Sequence, residues 1–232
     1  GFNYRFNSLY QTVKQHCLSG RLGELVCARS VFSTSLRALP NWKNTRQSGG
    51  GVLLDLASHH FDLLRYLFEV EVKDVFANVW SHNSEDDSAA LQIRLANGLV
   101  VQSFFSLSST EEDRFEIYGQ SGKLSVDRYF SFDVEISDSR AKFTRIKWLG
   151  RKLQSILRSP YLKEKILAPG IEPSFRTALA HFISGVKKNQ PVSPDFWDGY
   201  QSLALIEAAE KSARTQSVVS IDDFLKDSSL VL

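Results

Sequence analysis

Apolar residues recur at helical spacing through Leu9, Val13 and Cys17, with Gly20 and Gly23 supplying a stop, so the pattern predicts a short helix over residues 7–19. Val, Phe, Ser and Thr crowd residues 24–36 as in a strand, after which Pro40 and Ser48-Gly49-Gly50-Gly51 mark a long loop. A second helix is expected from about Val52 to Phe68. From Val72 the period drops to two, with candidate strands near 72–80, 88–96, 99–108, 114–119, 123–128, 131–137 and 143–148. Ala96-Asn97-Gly98 and Gln120-Ser121-Gly122 carry the residues that tight turns use at positive φ, so the strands they join should be antiparallel. Helices over about 173–188 and 195–214, separated by Asn189-Gln190-Pro191, precede a short strand from Val218 to Ile221. The pattern as a whole predicts an α+β fold, an open, mainly antiparallel sheet with helices packed on one face. No interior linker rich in Gly, Ser or Pro divides the chain, so residues 1–232 read as a single domain.

The helix over 52–68 is unusual in being apolar nearly all round. At ~100° per residue, Asp55, His59, Asp62 and Tyr66 fall within about 60° of one another, while Leu53, Leu56, Leu63, Leu64 and Leu67 fill the opposite arc. A carboxylate and an imidazole four residues apart can meet, and the carboxylate would then fix the imidazole's tautomer and favour its protonated form. That pair suits a general acid/base. Gly49-Gly50-Gly51 would leave backbone N–H groups open to an oxygen-rich ligand at the helix start. The plainer alternative is an internal pair that satisfies two core polar groups. His60 and Asp62 read as structural, Asp62 through a bond to neighbouring backbone. An Asp and a His at this spacing offer two metal ligands and no third is evident, so no metal is expected.

Composition narrows the function classes. The 232 residues are 43% hydrophobic and 23% charged, an ordinary globular balance, and no apolar run reaches the roughly 20 residues that cross a bilayer. A net charge of +2, with both signs interleaved, does not point to nucleic acid. Cys17 and Cys27 show neither a disulfide framework nor a metal-ligand grouping, and the expected compartment is the cytoplasm. There is no Met in the chain, from which we expect further sequence ahead of Gly1. Basic residues from Arg140 to Ile166 alternate with Trp148, Leu149, Leu153 and Ile156. They can be read as a membrane-surface helix, although Pro160 breaks the pattern and a solvated insertion is the commoner explanation.

Four segments in this order resemble the glucose-fructose oxidoreductase, inositol dehydrogenase and MocA (Gfo/Idh/MocA) family. Gly1-Phe2-Asn3-Tyr4-Arg5-Phe6 is similar to the segment that follows the family's nucleotide-binding domain, and residues 49–59 are similar to its G-G-G-x-x-x-D-x-x-x-H signature. Phe115-Glu116-Ile117-Tyr118-Gly119-Gln120-Ser121-Gly122 resembles its I-x-G-x-x-G turn, and Asp198-Gly199 with Ala208 and Ser212-Ala213 resembles its last helix. The resemblance implies the C-terminal substrate-binding and oligomerisation domain of a sugar or polyol dehydrogenase or reductase using NAD or NADP. His59 would be its acid/base, and Asp55 would position His59 or bind a neighbouring substrate hydroxyl. The family's N-terminal Rossmann domain, with its Gly-rich turn and catalytic Lys, has no counterpart in these residues, so the chain alone is not expected to turn over.

Trp42, Lys43 and Arg46 precede the glycine run and can hold a sugar or its acidic group, or simply cover the core. Tyr4 and Arg5 would lie at the domain junction, Tyr4 toward substrate and Arg5 toward cofactor, although Arg5 can equally pair with an acidic residue inside the domain. Apolar residues on both alternations of Val100 to Leu107 imply that both sheet faces are covered, one by helices and the other by a second subunit in a homodimer or homotetramer. Two alternatives stay open: a non-catalytic sheet module for assembly or sugar binding, and NAD-assisted glycoside cleavage.

Overall fold

The computed structural model describes residues 2–138, Gly150 and 173–227. The strand expected near 143–148 and, apart from Gly150, the basic segment from 140 to 166 lie outside them. A 3-10 turn, Asn3–Phe6, leads into α1 (Ser8–Leu18), whose first turn is capped by the Asn7 side chain accepting from the Leu9 N–H at 3.0 Å. Then come β1 (Leu25–Ser33) and a long loop containing the 3-10 turn Asn41–Lys43. A π-helical turn, Leu53–Ala57, runs into α2 (Ser58–Phe68). Strands β2 (Val72–Trp80), β3 (Ser88–Leu95), β4 (Val100–Ser106), β5 (Glu112–Gly119), β6 (Gly122–Asp127) and β7 (Glu135–Asp138) follow. Helices α3 (Ser174–Lys188) and α4 (Phe196–Thr215), strand β8 (Val219–Ser220) and helix α5 (Ile221–Asp227) complete the described chain.

The strands form one sheet in the order β7-β6-β5-β1-β4-β3-β2-β8. Every pairing is antiparallel except β1 with β4 at its centre. The sheet is therefore open and mainly antiparallel, as the alternation predicts. Its helix-covered face carries rows such as Ala77, Leu91, Ser103, Ser30, Phe115 and Val126, aligned across six strands and all buried. Leu9, Tyr10 and Val13 of α1, Phe61, Leu64 and Leu67 of α2, and Leu205, Ile206 and Ala209 of α4 close that core. Burying each large side chain stabilises the fold by roughly 1.5–3 kcal/mol.

The opposite sheet face is mixed. Phe76, Gln92, Gln102, Arg29 and Glu116 form one cross-strand row on it, half-buried to exposed, and Phe104 and Val31 are neighbours in the next. A second apolar surface lies on α3, where Phe175, Leu179, Phe182, Ile183 and Val186 recur at helical spacing and are 43–63% exposed.

Several local details differ from expectation. Gly98 adopts φ +91° in the β3–β4 turn, as a tight turn needs. Gly122 has no positive φ; a Cβ there would overlap the Ser137 carbonyl, and one on Gly119 would overlap that of Leu22, so close approach demands glycine. The strand expected over 131–137 shortens to Glu135–Asp138 because Asp127 organises a turn, its Oδ1 accepting from the N–H groups of Tyr129 and Phe130, each at 2.9 Å. Helix α5 was not anticipated, although Ser220 accepts from Asp223 N–H and acidic residues fill the first turn.

Candidate active site

The glycine run is a tightly folded bend. Gly49 and Gly51 adopt φ +101° and +96°, and a Cβ on Gly50 would strike the carbonyls of Lys43 and Thr45. Two of its three N–H groups, those of Gly49 and Gly50, are engaged and not open to a ligand as expected. Gly49 donates to Arg46 O at 3.1 Å, Gly50 to Thr45 O at 2.9 Å and Val52 to Asp86 O at 2.8 Å. The bend therefore shapes the site chiefly through its tightly folded backbone path.

Beyond it, residues 53–57 coil as a π-helix, a wider turn than the α-helix read from the spacing. Residues four apart then fall short of a full turn, and no hydrogen bond joins Asp55 to His59. Instead Asp55 Oδ1 accepts from Lys43 Nζ at 2.5 Å, while Oδ2 is buried without a partner. Lys43 Nζ also lies 5.2 Å from the Trp42 ring. His59 has its Nδ1 buried and unpartnered, and its ring stacks on Tyr4 with centroids 4.6 Å apart and planes 18° from parallel. The expectation that a carboxylate favours the protonated imidazole is overturned. Burial, helped by His60 and Arg128 and only partly opposed by Asp113, pushes the His59 pKa down to about 4, so the ring is a neutral base at neutral pH.

His60, read as structural, is anchored beneath. Its Nε2 lies 3.0 Å from Asp113 Oδ1, which also accepts from Tyr10 Oη at 2.6 Å, while Arg128 Nε donates to Asp113 Oδ2 at 2.6 Å. Burial alone would raise the Asp113 pKa, but the Arg128 charge and the bonds from His60 and Tyr10 hold it well below the usual carboxylate range. Asp113 was legible as an oddity, since it shares the inward alternation of Phe115 and Ile117. Arg128 carried no such signal.

Asp62 bonds not to backbone but to Arg5, whose five N–H groups are all engaged. Nε and Nη2 reach the two Asp62 oxygens at 2.8 and 2.5 Å, Nη2 and Nη1 reach Asp198 at 2.8 and 3.2 Å, and Nη1 reaches Ser193 Oγ at 3.1 Å. Arg5 thus takes the internal pairing, and no donor of its guanidinium is left for a cofactor.

Trp42 is 54% exposed at the mouth of the bend, beside Gly49. Arg46 is tied to Glu210 of α4 at 2.5 Å. Lys43, Trp42 and Asp55 therefore form one contact group and Tyr4 and His59 another, the two meeting through the helical segment that carries Asp55 and His59, with Arg46 bracing the loop. A cleft of about 300 Å³ lies along the same loop, lined by Leu36, Arg37, Asn44, Asn83, Ser84 and Asp87 among others. Among the described residues no group of three or more His, Cys, Asp or Glu side chains is arranged to hold a metal, and no helix is long and apolar enough to cross a membrane.

Residues 14–221 match the family described as an oxidoreductase family, C-terminal α/β domain. The chain is 26% identical to a myo-inositol 2-dehydrogenase of Thermotoga maritima over 97% of its own length and 64% of the relative's. It is 31% identical to an oxidoreductase of Synechocystis sp. over 96% of its length and 64% of that protein's. Among solved structures, a levoglucosan dehydrogenase in complex with NADH and levoglucosan superposes with a TM-score of 0.76 at 24% identity, covering 95% of this chain and 65% of that one. The chain thus spans somewhat under two thirds of the length of these relatives.

Proposed function

The chain belongs to the Gfo/Idh/MocA family of oxidoreductases, matching its C-terminal α/β domain, and from that premise we propose that it is the substrate-side part of an NAD(P)-dependent sugar or polyol dehydrogenase. The observation that carries this reading is a pair of buried, unpartnered polar atoms, Asp55 Oδ2 and His59 Nδ1, on one helical segment walled by Tyr4 and the Trp42–Lys43 loop. Orphaned buried polar groups cost about 1–3 kcal/mol each and recur where a ligand completes them. In this reading His59, neutral at working pH, takes the proton from the substrate hydroxyl that becomes a carbonyl, and returns it in reduction. Asp55 accepts from a neighbouring hydroxyl, Lys43 holds the carboxylate in place, and Trp42 offers an apolar face to the sugar ring. Tyr4 walls the site.

Among the described residues Arg5 supports no dinucleotide contact through its N–H groups, which are spent on Asp62, Asp198 and Ser193. NAD or NADP, the hydride partner, is assigned to residues outside the described ones. The relatives named for myo-inositol and levoglucosan support a cyclic polyol as substrate. The mixed sheet face supports assembly into a homodimer or homotetramer.

The test is His59→Gln in the full-length protein, assayed with NAD and NADP against cyclic polyols and aldoses headed by myo-inositol and levoglucosan. Turnover is expected to fall by about 10²–10⁴ with the melting temperature retained. Unchanged turnover would make the polar stripe structural and the chain an assembly or sugar-binding module.

A further inference from the structure

Resting on the acid/base reading of His59, we propose that Tyr4 and Arg128 are a positioning pair, Tyr4 stacked on the catalytic imidazole and Arg128 on Tyr4, that sets its ring and its surroundings. No hydrogen bond orients His59 among the described residues; ring contacts do so, the stacked Tyr4 ring foremost and the tilted Phe32 ring, with centroids 6.5 Å apart, beside it. Arg128 lies with its guanidinium carbon 4.4 Å from that ring and 4.5 Å from the Tyr129 ring, a cation held between aromatic groups. Arg128 is itself immobile. Its side chain is 10% exposed, its Nε is bonded to the fully buried Asp113, and its backbone N–H donates to Asp113 O at 2.7 Å. The turn that presents it is built on Asp127, so the position of Arg128 is set by β6.

The charges around His59 come from every packed element. Asp55 and His60 belong to its own helical segment, Tyr4 to the opening turn, Asp113 to β5 and Arg128 to the turn after β6, and Lys43 reaches Asp55 from the loop. Asp113 is the group that would favour an imidazolium, and its oxygens are already engaged by Tyr10, His60 and Arg128. Arg128 disfavours a second cation nearby, and the Tyr4 face excludes the water that would solvate one. An arginine that only neutralised Asp113 would not need to lie over the one ring that stacks on His59.

The experiment is a histidine ring titration by NMR on the 232-residue chain, with His59 assigned through His59→Gln. Tyr4→Phe and Arg128→Lys, which keep the ring face and the charge, are expected to hold the His59 midpoint near that of the parent chain. Tyr4→Leu and Arg128→Gln are expected to raise it by about one unit or more, a tenfold change in proton affinity, and Tyr4→Leu to shift the ring protons as well. Should Arg128→Gln fail to fold, Tyr4→Leu decides. A folded Tyr4→Leu chain whose His59 midpoint and ring shifts match the parent would overturn the proposal. Because turnover plays no part, that result is separable from failure of the acid/base reading, which His59→Gln tests in the full-length protein.

Discussion

His59 is neutral because its ring is buried beside positive charge, and that has a thermodynamic signature. An unfolded imidazole takes a proton below about 6.5, whereas the folded one waits until about 4. Between those values the unfolded state binds more protons at this site, so the His59 contribution to stability falls as pH falls through that window, opposed by Asp62, whose pKa burial raises to about 6. Thermal melts in matched buffers from pH 7 to 4.5 should show a steeper loss for the parent chain than for His59→Gln; equal slopes would mean that His59 titrates normally. Asp113 acts in the same direction but at lower pH, since its depressed pKa contributes stability that is lost only as pH falls through and below the ordinary aspartate range. Asp113→Ala strands the buried Arg128 cation and is expected to cost about 3–5 kcal/mol by urea denaturation. At this scale the sequence was half legible. Spacing placed Asp55 and His59 on one segment, but not Lys43 on Asp55 or Arg128 behind Tyr4, because contacts between distant segments leave no periodic trace.

The elements were more legible, since a period of 3.6 or 2 survives in the apolar positions wherever one face is buried. The exceptions are physical. A π turn buries much the same residues as an α turn, so residues 53–57 looked α-helical while their wider winding separated Asp55 from His59. The turn on Asp127 interrupted a pattern that looked like a continuing strand. The bend at 49–51 can be tested as an element: Gly50→Ala drives a methyl into two carbonyls and is expected to cost about 1–3 kcal/mol, with loss of turnover because Lys43 is displaced. At α4, Asp195 and Asp198 each accept from the other's backbone N–H, at 3.1 and 3.0 Å, in a capping box. Asp195→Ala should cost about 1 kcal/mol in the same denaturation measurement and leave the His59 titration untouched, separating loss of a cap from damage to the site.

For the whole molecule, the periodicity predicted the sheet and its helical cover, but not the parallel pair at its centre, since strand order leaves no local mark. If the mixed sheet face carries assembly, Phe104→Glu on β4 should reduce the mass measured by light scattering, while Phe182→Glu on α3 should not. The reverse result would move the interface to the helix. That central pair also bears on how the protein is made. β1 emerges from the ribosome long before its neighbours, for its two edges are met only by β4, which begins at Val100, and β5, which ends at Gly119. The β2–β4 meander can form locally in the meantime, but β1 waits with both edges bare, the state in which strands recruit wrong partners. The first strand of this sheet to be synthesised thus stays unflanked until β4 and β5 follow it, and any nascent chain halted before Gly119 exposes the middle of its own sheet.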